Sequence, residues 1–510
     1  MLVLYIIIYL SLLWVLQYGV LRCTLGVGSC LVLASDPSSF IFALTLSSIS
    51  ISVLTWSFYY IDAECEFRRF SCLLLVFLCS MLGLVFSADL LSLFVAWDLL
   101  GFTSFFLVLY YRSRSALAGG ILTGVTNRVG DVCLLALFGL VYYSSVSIIT
   151  WSLYLLFVIS FTKSAQVPFS SWLPAAILAP TPVSALVHSS TLVTAGVYLL
   201  YRYCPATSPL LIYVGIFTTL IAGLAASLEC DTKKIIALST LSQLGLMVTS
   251  LGLGSRSLCF AHLNTHAAFK ALLFVAIGAY IHSIYGSQEA RSVIGLHSNS
   301  PLTLIIFVSA SISMCGLVFL SGWVTKEAIL EFGINNSINF FSLTLFYLGI
   351  GLTLVYRIRL SFSLLISSRH MNILTPSFSC SFIVKAPMFW LVLLSVVQGS
   401  LFSLDCELLH SVLSIDDKLV VWGVLLFAFF LSLQLSNRAI TFRNPYSQLV
   451  YATALVSSWS LPLSMVRSTE VSAIQGGGFG CLPSLLTPFR TGIYLCSKLS
   501  LFLSLVLLLL

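Results

Sequence analysis

The chain contains little charge. Only 8% of its 510 residues are charged, whereas 59% are hydrophobic and the mean hydropathy is +1.07. Roughly 25% of the residues of a soluble domain are charged, so that class is excluded. At roughly 20 residues per crossing, the length accommodates about 15 membrane-spanning helices and little else. The composition therefore predicts an all-α polytopic membrane protein.

Signatures of bound cofactors are also missing. None of the 14 cysteines belongs to a C-x-x-C pair, and most fall in apolar runs, where cysteine behaves as a small hydrophobe. The glycine run 476–478 lacks the Lys-Ser/Thr ending of a phosphate-binding loop. Loops are short except at 437–491, which leaves no room for a flavin or nucleotide domain. We therefore expect no cofactor and no metal on this chain.

Targeting sequences are missing too. The first apolar run starts at Leu2 without a basic region or a small-residue cleavage site, and no Arg-rich transit peptide is visible. A chain this apolar without an import sequence favours a bacterial or organelle-encoded product. Short loops and richness in phenylalanine and cysteine favour the mitochondrial case, and hence the mitochondrial inner membrane.

Fifteen apolar runs predict the helices. They cover residues 2–22, 38–60, 71–87, 89–111, 117–143, 147–166, 182–203, 209–227, 234–253, 258–284, 302–332 (broken), 337–360, 386–403, 418–436 and 494–510. A surface helix is expected within 437–491, before the last span.

The net charge of +7 comes from scattered cations, and membrane topology explains it better than nucleic-acid binding. Loops after even-numbered helices carry Arg68, Arg69, Arg112, Arg114, Lys233, Lys234, Arg291, Arg357, Arg359 and Arg369. Loops after odd-numbered helices carry only Arg22, Arg202 and Arg256. This asymmetry predicts the N-terminus on the positive face, which is the matrix side in a mitochondrion.

Prolines interrupt the segment Thr162–Gly196. In this segment, Lys163 stands at the end of one apolar run and His188 stands inside the next. The prolines between them are Pro168, Pro174, Pro180 and Pro182. Proline removes a backbone donor and clashes with the preceding turn, so the helix must break. A broken backbone at membrane depth is tolerated only beside protein or a water-filled cavity, so Lys163 is expected to line a polar path.

Ionisable residues inside apolar segments point to a proton or ion path. Three of the eight lysines, Lys163, Lys270 and Lys326, fall in such segments, at a cost of roughly 2.5–3.5 kcal/mol each at mid-bilayer. The others are Asp98, Arg128, Asp131, His188, His262 and His266. Internal salt bridging is the alternative, and for Arg128 and Asp131, three apart on one helix face, both interpretations stay open.

Asp98 has no cation nearby in sequence, so its partner must come from another helix, and Lys163 is the natural candidate. A carboxylate near a buried lysine stabilises the lysine's proton, and withdrawing the carboxylate releases it. The pair would thus form a proton switch driven by distance.

A second set of groups follows later in the chain. His262, His266 and Lys270 are spaced four apart and so share one helix face, which suits a proton relay. A metal site would need further ligands, and none stands at a matching offset. Lys326 follows two glycines in a second loosened helix. Two broken helices, each with a lysine, fit the inverted repeats of secondary transporters, here of five helices each.

Several segments resemble subunit 5, an antiporter-like membrane-arm subunit, of the proton-pumping NADH:ubiquinone oxidoreductases (respiratory complex I). The resemblance covers about residues 90–330. It rests on AWDLLG, NRVGD (Asn127 to Asp131), TKSAQ, PTPVSALVHSST (Pro180 to Thr191), DTKKIIALSTLSQLG (Asp231 to Gly245), THAAFKALLF (Thr265 to Phe274) and SGWVTKE ending at Glu327.

The resemblance implies a role for each matching residue. Asp98 would be the key acid, Lys163 the pumping lysine of the first broken helix, and His188 its connecting neighbour. Lys270 would be the central lysine of the second half and Lys326 the terminal lysine near the exit. Supporting positions of the path would be Arg128, Asp131, Asp231, His262, His266 and Glu327.

The resemblance also implies an organisation. We expect N-terminal helices in 1–66, a first antiporter-like half in 67–205, a second in 206–360, and C-terminal helices in 361–510 with a lateral segment at about 437–491. Three departures from the family are visible. Asp98 is one methylene shorter than the glutamate that can occupy this position. The first of the 16 helices typical of the family is missing, and the lateral helix is hard to recognise.

The implied function is proton translocation, as a subunit of NADH:ubiquinone reductase that performs no redox chemistry itself. NAD, FMN, Fe–S clusters and ubiquinone would belong to the parent complex. Partners would be other membrane-arm subunits, including neighbouring antiporter-like ones, and membrane lipids such as cardiolipin, with no nucleic acid. The alternative is a subunit of a multi-subunit Na⁺/H⁺ antiporter. A purely structural anchor predicts few buried charges and no broken lysine-bearing helices, contrary to the sequence.

Overall fold

The computed structural model describes most of the chain up to residue 434. The described residues are 20–26, 29–61, 66–143, 149–204, 207–284, 286–290, 301–316, 321–335, 340–365, 382–404, 423–432 and 434. The chain divides into two compact units, residues 1–451 and 452–510, and all described residues belong to the first. The helix predicted at 494–510 and the lateral segment at 437–491 lie outside the described residues.

The described architecture is helical apart from one pair of strands. The strands are β1 (Val20–Gly26) and β2 (Ser29–Ala34). The helices are α1 (Pro37–Tyr60), α2 (Phe67–Phe86), α3 (Leu90–Val108), α4 (Arg114–Tyr143), α5 (Ile149–Lys163), α6 (Trp172–Ala175), α7 (Thr181–Leu186), α8 (Leu192–Tyr203), α9 (Pro209–Leu228), α10 (Thr232–Gly252), α11 (Arg256–Ser283), α12 (Pro301–Cys315), α13 (Ser321–Asn335), α14 (Phe340–Leu365), α15 (Phe382–Leu404) and α16 (Gly423–Ser432).

Nine helices in the described ranges are long and apolar enough to cross a membrane, and four further apolar helices are shorter. One crossing is formed jointly by α7, a π-helical turn at Val187–Thr191, and α8. This confirms the prediction of an all-α polytopic membrane protein. The helix starts follow capping rules: Ser39 accepts a hydrogen bond from the backbone N–H of Asp36 at 2.7 Å, and Pro37 opens α1.

Three spans form the centre of the bundle: Thr181–Tyr203, α10 and α11 are wholly buried. α11 contacts α1, α7, α10, α12, α13 and α15. Small residues allow the close packing that membrane helices need. A Cβ at Gly215 on α9 would lie 2.6 Å from the Gly245 carbonyl oxygen on α10, so only glycine fits. The helices most shielded from lipid carry most of the candidate lysines and histidines.

The strand pair corrects the first predicted helix. Most of the predicted helix 2–22 lies outside the described residues, but its last residues, Val20 to Arg22, belong to β1. The strands pair antiparallel, with an irregularity between Thr24 and Gly26. β2 is held against the start of α3, because the Val32 carbonyl accepts hydrogen bonds from the Ala88 N–H and the Ser92 hydroxyl. An apolar run alone does not separate a strand from a helix.

Nine of the cations assigned to loops lie in helices instead, most of them in a first or last turn. Lys233 is buried in the first turn of α10, and Arg357 is wholly buried within α14. Arg359 lies two residues further along α14 and donates to the Ser227 carbonyl. Arg357 and Arg359 also fall inside the predicted helix 337–360, so the charge asymmetry rests on fewer loop residues than the sequence indicated.

Candidate functional site

The first broken segment buries Lys163. α5 ends at this lysine, whose side chain is wholly buried. Its ammonium donates a hydrogen bond to the Trp97 carbonyl on α3 at 3.4 Å and lies 5.0 Å from the centre of the Trp97 ring. Gly101, one turn further along α3, leaves the necessary space: a Cβ there would lie 3.1 Å from the Lys163 nitrogen. The sequence correctly placed this lysine at a helix end.

The acids near Lys163 pair with Arg128. Arg128 on α4 donates to Asp98 at 2.7 Å and to Asp131 at 3.2 Å. The predicted contact between Asp98 and Lys163 is wrong for this conformation. The Asp98 side chain is 40% exposed and within reach of the long arginine, whereas Lys163 is buried against Trp97. Arg128 and Asp131 therefore do form the ion pair that the sequence left open.

Asp131 is the more deeply placed of the two acids. Its side chain is buried, and its second oxygen has no hydrogen-bond partner among the described residues. Both carboxylates act electrostatically on Lys163, Asp131 more strongly than Asp98. We call Trp97, Asp98, Gly101, Arg128, Asp131 and Lys163 the Lys163 site.

His188 lies on the π-helical turn between α7 and α8. The turn follows Pro180 and Pro182, and the Thr191 hydroxyl donates to the Leu186 carbonyl at 2.7 Å. Such turns loosen the regular backbone ladder and occur often at functional sites. The buried His188 ring packs 6.3 Å from Trp172, centre to centre. Neither ring nitrogen meets strict hydrogen-bond geometry with a described residue, and the Ala176 backbone is the nearest polar partner of the imidazole.

Lys233 is a buried lysine that the sequence reasoning missed. Its ammonium donates to the Ala179 carbonyl at 3.1 Å, linking α10 to the residue before Pro180. Its charge acts on His188 across this contact. Asp231 marks the start of α10, and recognising it as the helix cap would have placed Lys233 inside the helix.

The two histidines of α11 differ in their contacts. His262 joins three helices: Nδ1 lies 2.9 Å from the Thr325 hydroxyl on α13, and Nε2 lies 3.2 Å from Oε1 of Gln243 on α10. The His266 ring lies 6.2 Å from that of His262, and its nitrogens have no hydrogen-bond partner in the described part of the chain. The predicted histidine face on one helix is therefore present and buried.

Lys270, one turn further along α11, shares a hydrogen-bond acceptor with an arginine. Its ammonium donates to the Ser239 hydroxyl at 2.6 Å and to the Ile236 carbonyl at 3.3 Å. Arg357 on α14 donates to the same Ser239 hydroxyl at 2.6 Å. The sequence gave no indication of this contact, which joins residues more than 100 positions apart. The cost of burying a charge within an apolar run would have flagged Arg357, as it flagged Lys270.

Lys326 lies beyond the second break. α12 ends at Cys315, Gly316 takes a left-handed conformation (φ +78°), and α13 begins at Ser321. The buried Lys326 ammonium donates to the Met314 carbonyl near the end of α12. Gly316 suits this position because a left-handed turn strains other residues. We call Ser239, His266, Lys270, Lys326 and Arg357 the Lys270 site.

Two supporting residues, Asp231 and Glu327, are less buried than the lysines of the two sites. Asp231 forms a surface ion pair with Lys234 at 2.7 Å. Glu327 is half-buried on α13, next to Lys326. Within the described ranges, no three His, Cys, Asp or Glu side chains come together as a metal site requires.

The four buried lysines share one kind of partner. Each donates to a backbone carbonyl, and none forms an ion pair with a described carboxylate; the carbonyls are those of Trp97, Ala179, Ile236 and Met314. A carbonyl accepts a hydrogen bond from a neutral amine as well as from an ammonium, although the bond from the ammonium is stronger. Each lysine is therefore held in place in both protonation states without a direct ion pair to a described carboxylate, which suits a group that gains and loses protons.

A polytopic bundle with ionisable residues at broken helices is the arrangement of ion-translocating membrane proteins. A family model for "NADH:quinone oxidoreductase/Mrp antiporter, TM" matches residues 87–353. NADH-ubiquinone oxidoreductase chain 5 of Lumbricus terrestris is 39% identical over 80% of this chain and 75% of its own. The same protein of Anopheles quadrimaculatus is 38% identical over 83% and 76%. The chain therefore belongs to the NADH:quinone oxidoreductase/Mrp antiporter family, in its chain 5 branch.

Solved structures share the fold. The Mrp complex from Dietzia sp. contains a chain with a TM-score of 0.73 and 23% identity, covering 94% of this chain and 57% of that one. A chain of the archaeal membrane-bound sulfane sulfur reductase has a TM-score of 0.66 and 19% identity, covering 80% and 86%. At these identities the likeness concerns the fold alone.

Proposed function

We propose that this chain is the proton-translocating membrane subunit of a respiratory NADH:ubiquinone oxidoreductase. The observation that carries the proposal is the set of buried lysines and histidines running from the Lys163 site to the Lys270 site through the three wholly buried spans. The chain 5 relatives support the choice of complex. Electron transfer from NADH to ubiquinone, with NAD, FMN and Fe–S clusters, would take place in other subunits.

The proposed relay begins at Lys163. A shift of the acids in the Lys163 site changes how strongly Lys163 holds its proton, since a nearby carboxylate stabilises the ammonium. Lys163 then passes its proton through His188, whose ring nitrogens form no hydrogen bond of strict geometry with the described residues. Histidine both accepts and donates near neutral pH, so it suits an intermediate position.

The second part of the relay follows α11. From His188 the proton passes the Lys233 contact and the histidine face to Lys270, and Lys326 releases it. Lys326 lies beside the second helix break, where an irregular backbone at membrane depth requires a polar surrounding. Lys163, His188, Lys270 and Lys326, with Asp98 or Asp131 as the acid, are the residues we propose to carry the transfer.

The surroundings follow from the same proposal. The antiporter-like halves would be residues 67–205 and 206–360, as inverted five-helix repeats, each with one broken segment. Exposed apolar side chains on α4, such as Val132 at 65% exposure, would face neighbouring membrane-arm subunits or lipid. The exposed Arg112 and Arg114 would bind anionic headgroups such as those of cardiolipin.

The multi-pass chain would lie in the mitochondrial inner membrane. Arg112 and Arg114 follow α3 and would mark the matrix face. The N-terminus lies on that same face provided that the residues before β1 cross the membrane once.

Replacing Lys163 with methionine tests the proposal. The K163M chain, assembled in its complex and reconstituted in vesicles, should oxidise NADH but lose most NADH-driven proton uptake, because methionine fills the space and carries no proton. Proton uptake is measured with a pH-sensitive dye alongside NADH oxidation. The matched control is K234M, since Lys234 forms only an exposed ion pair with Asp231. Wild-type pumping in K163M would disprove the proposed path.

A Na⁺/H⁺ antiporter subunit is the second candidate, favoured by the family model and by the fold shared with the Mrp complex. It predicts sodium-dependent proton exchange in vesicles without NADH. Absence of sodium dependence, together with copurification of the chain in a large rotenone-sensitive NADH dehydrogenase, would exclude this candidate.

A further inference from the structure

Arg357 is a wholly buried arginine with no acidic partner among the described residues. It lies within α14, and none of the ion pairs among the described residues includes it. One guanidinium nitrogen donates to the Ser239 hydroxyl at 2.6 Å, and the Tyr356 ring lies 5.8 Å from the guanidinium carbon. The other two nitrogens have no hydrogen-bond partner in the described structure. Burying an uncompensated charge is expensive, so the position calls for an explanation.

The Ser239 hydroxyl connects Arg357 to Lys270. Its own proton points to the Ile236 carbonyl at 2.6 Å, and its oxygen accepts from both Lys270 and Arg357 at 2.6 Å each. A hydroxyl has one donor and two acceptor positions, so all three are in use. The lysine and arginine nitrogens can be no further apart than twice that distance. Two potential cations thus share a single uncharged acceptor.

The groups around Arg357 do not offset its charge. They come from five helices: Ser239 from α10, His266 and Lys270 from α11, Cys315 from α12, Lys326 from α13 and Tyr356 from α14. No described carboxylate is among them. Guanidinium stays protonated in proteins, whereas a buried lysine readily gives up its proton. Of the two groups that donate to Ser239, Lys270 is therefore the one that can lose its proton and its charge.

We propose that Arg357 is a positioning residue of the proton path, a fixed positive charge that keeps Lys270 unprotonated at rest and drives each arriving proton on to Lys326. Arg357 exchanges no proton itself. Lys270 gains a proton from the histidine side and loses the same proton toward Lys326, so the step is balanced. This inference rests on the proposed function and adds to it the source of the driving force in the second half.

The test compares neutral and charged variants of Arg357 in the assembled, vesicle-reconstituted complex. The readout is the number of protons taken up per NADH oxidised, measured across pH. Without the charge, Lys270 binds its proton more tightly, so the whole pH profile of R357Q should move to higher pH by about one unit or more. R357K keeps a cation and should restore most of the wild-type profile.

R359Q is the matched control, because it removes one positive charge from the same helix at a residue that contacts the Ser227 carbonyl instead. Its pH profile should stay at the wild-type position. If R357Q does not assemble, R357H carries the test: its profile must diverge from wild type as pH rises and imidazole loses its proton. This inference alone would be overturned if K163M loses pumping while the pH profile of R357Q does not shift, or that of R357H does not diverge from wild type. Normal pumping in K163M would instead overturn the proposed function.

Discussion

Two lysine sites lie in the described part of the molecule, and different charges surround them. In both, a buried lysine donates to a backbone carbonyl. The Lys163 site adds two carboxylates and one arginine that bridges them. The Lys270 site adds a second lysine and a buried arginine, with no described carboxylate in ion-pair contact. The anchoring of the lysine is thus shared, and the sign of the surrounding charge is reversed.

This difference indicates two ways of moving a proton. Acids that shift relative to a lysine alter its hold on the proton in either direction, so the Lys163 site suits the end where conformational change enters. A permanent cation such as Arg357 only repels a protonated Lys270, so the Lys270 site suits a stage at which a proton is bound briefly and passed on. We infer that moving acids switch the proton affinity of Lys163 in the first half. In the second half, a permanent positive charge lowers the proton affinity of Lys270.

Giving the Lys270 site a carboxylate should have the largest effect. In S239D the new carboxylate would pair with both Lys270 and Arg357 and fix the lysine proton. Charges about 4 Å apart gain about 4 kcal/mol at an effective dielectric of 20, so proton pumping should fall roughly tenfold or more. The measurement is proton uptake per NADH oxidised in reconstituted vesicles.

S239N is the control for that change, because asparagine has nearly the same shape as aspartate and no charge. It should pump clearly better than S239D. Equal pumping by the two variants would mean that the absence of an acid from this site has no importance.

Removing the bridge of the Lys163 site should have an intermediate effect. R128Q frees Asp98 and Asp131, and Asp131 then holds the Lys163 proton more firmly, since its ion-pair partner among the described residues is gone. Pumping should fall several-fold while NADH oxidation continues. R69Q is the control, because Arg69 also forms an i,i+3 ion pair, with Glu66 at an exposed site where such pairs contribute little. Similar losses in both variants would contradict a specific role for the bridge.

Crowding the Lys163 ammonium should have the smallest effect. In G101A the new Cβ would lie 3.1 Å from the lysine nitrogen and push it by a few tenths of an ångström. Because transfer rates depend steeply on position, pumping should drop about two- to threefold. G139A serves as the control, since a Cβ there meets nothing within 4 Å of described structure. A G101A rate equal to that of G139A would show that the ammonium is not held as tightly as its contacts indicate.

Local sequence predicted the parts of the site that depend on local chemistry. The closely spaced prolines between residues 168 and 182, and the left-handed glycine at 316, interrupt the helices where they stand, so Lys163 and Lys326 lie beside breaks. The four-residue spacing of His262, His266 and Lys270 predicts one face in any helix. The family resemblance then supplied the complex.

The parts that depend on packing between helices could not be predicted. Asp98 and Arg128 meet because of how α3 and α4 are rotated against each other, and nothing within either segment determines that rotation. Arg357 was counted among the loop cations although the predicted helix 337–360 contains it, and its complete burial depends on packing between helices. The strand pair was missed because residues 20–34 are as apolar as the helices around them.

The carbonyl anchors have a genetic consequence. Every amino acid contributes the same carbonyl, so no missense change at Trp97, Ala179, Ile236 or Met314 deletes the group on which the lysine rests. A carboxylate partner, in contrast, is lost by a single nucleotide change. Inherited loss of pumping should therefore arise from the lysines themselves, from Ser239 and Arg357, or from changes that displace the backbone. The lysines of the path thus rest on main-chain groups, which amino-acid substitutions do not remove.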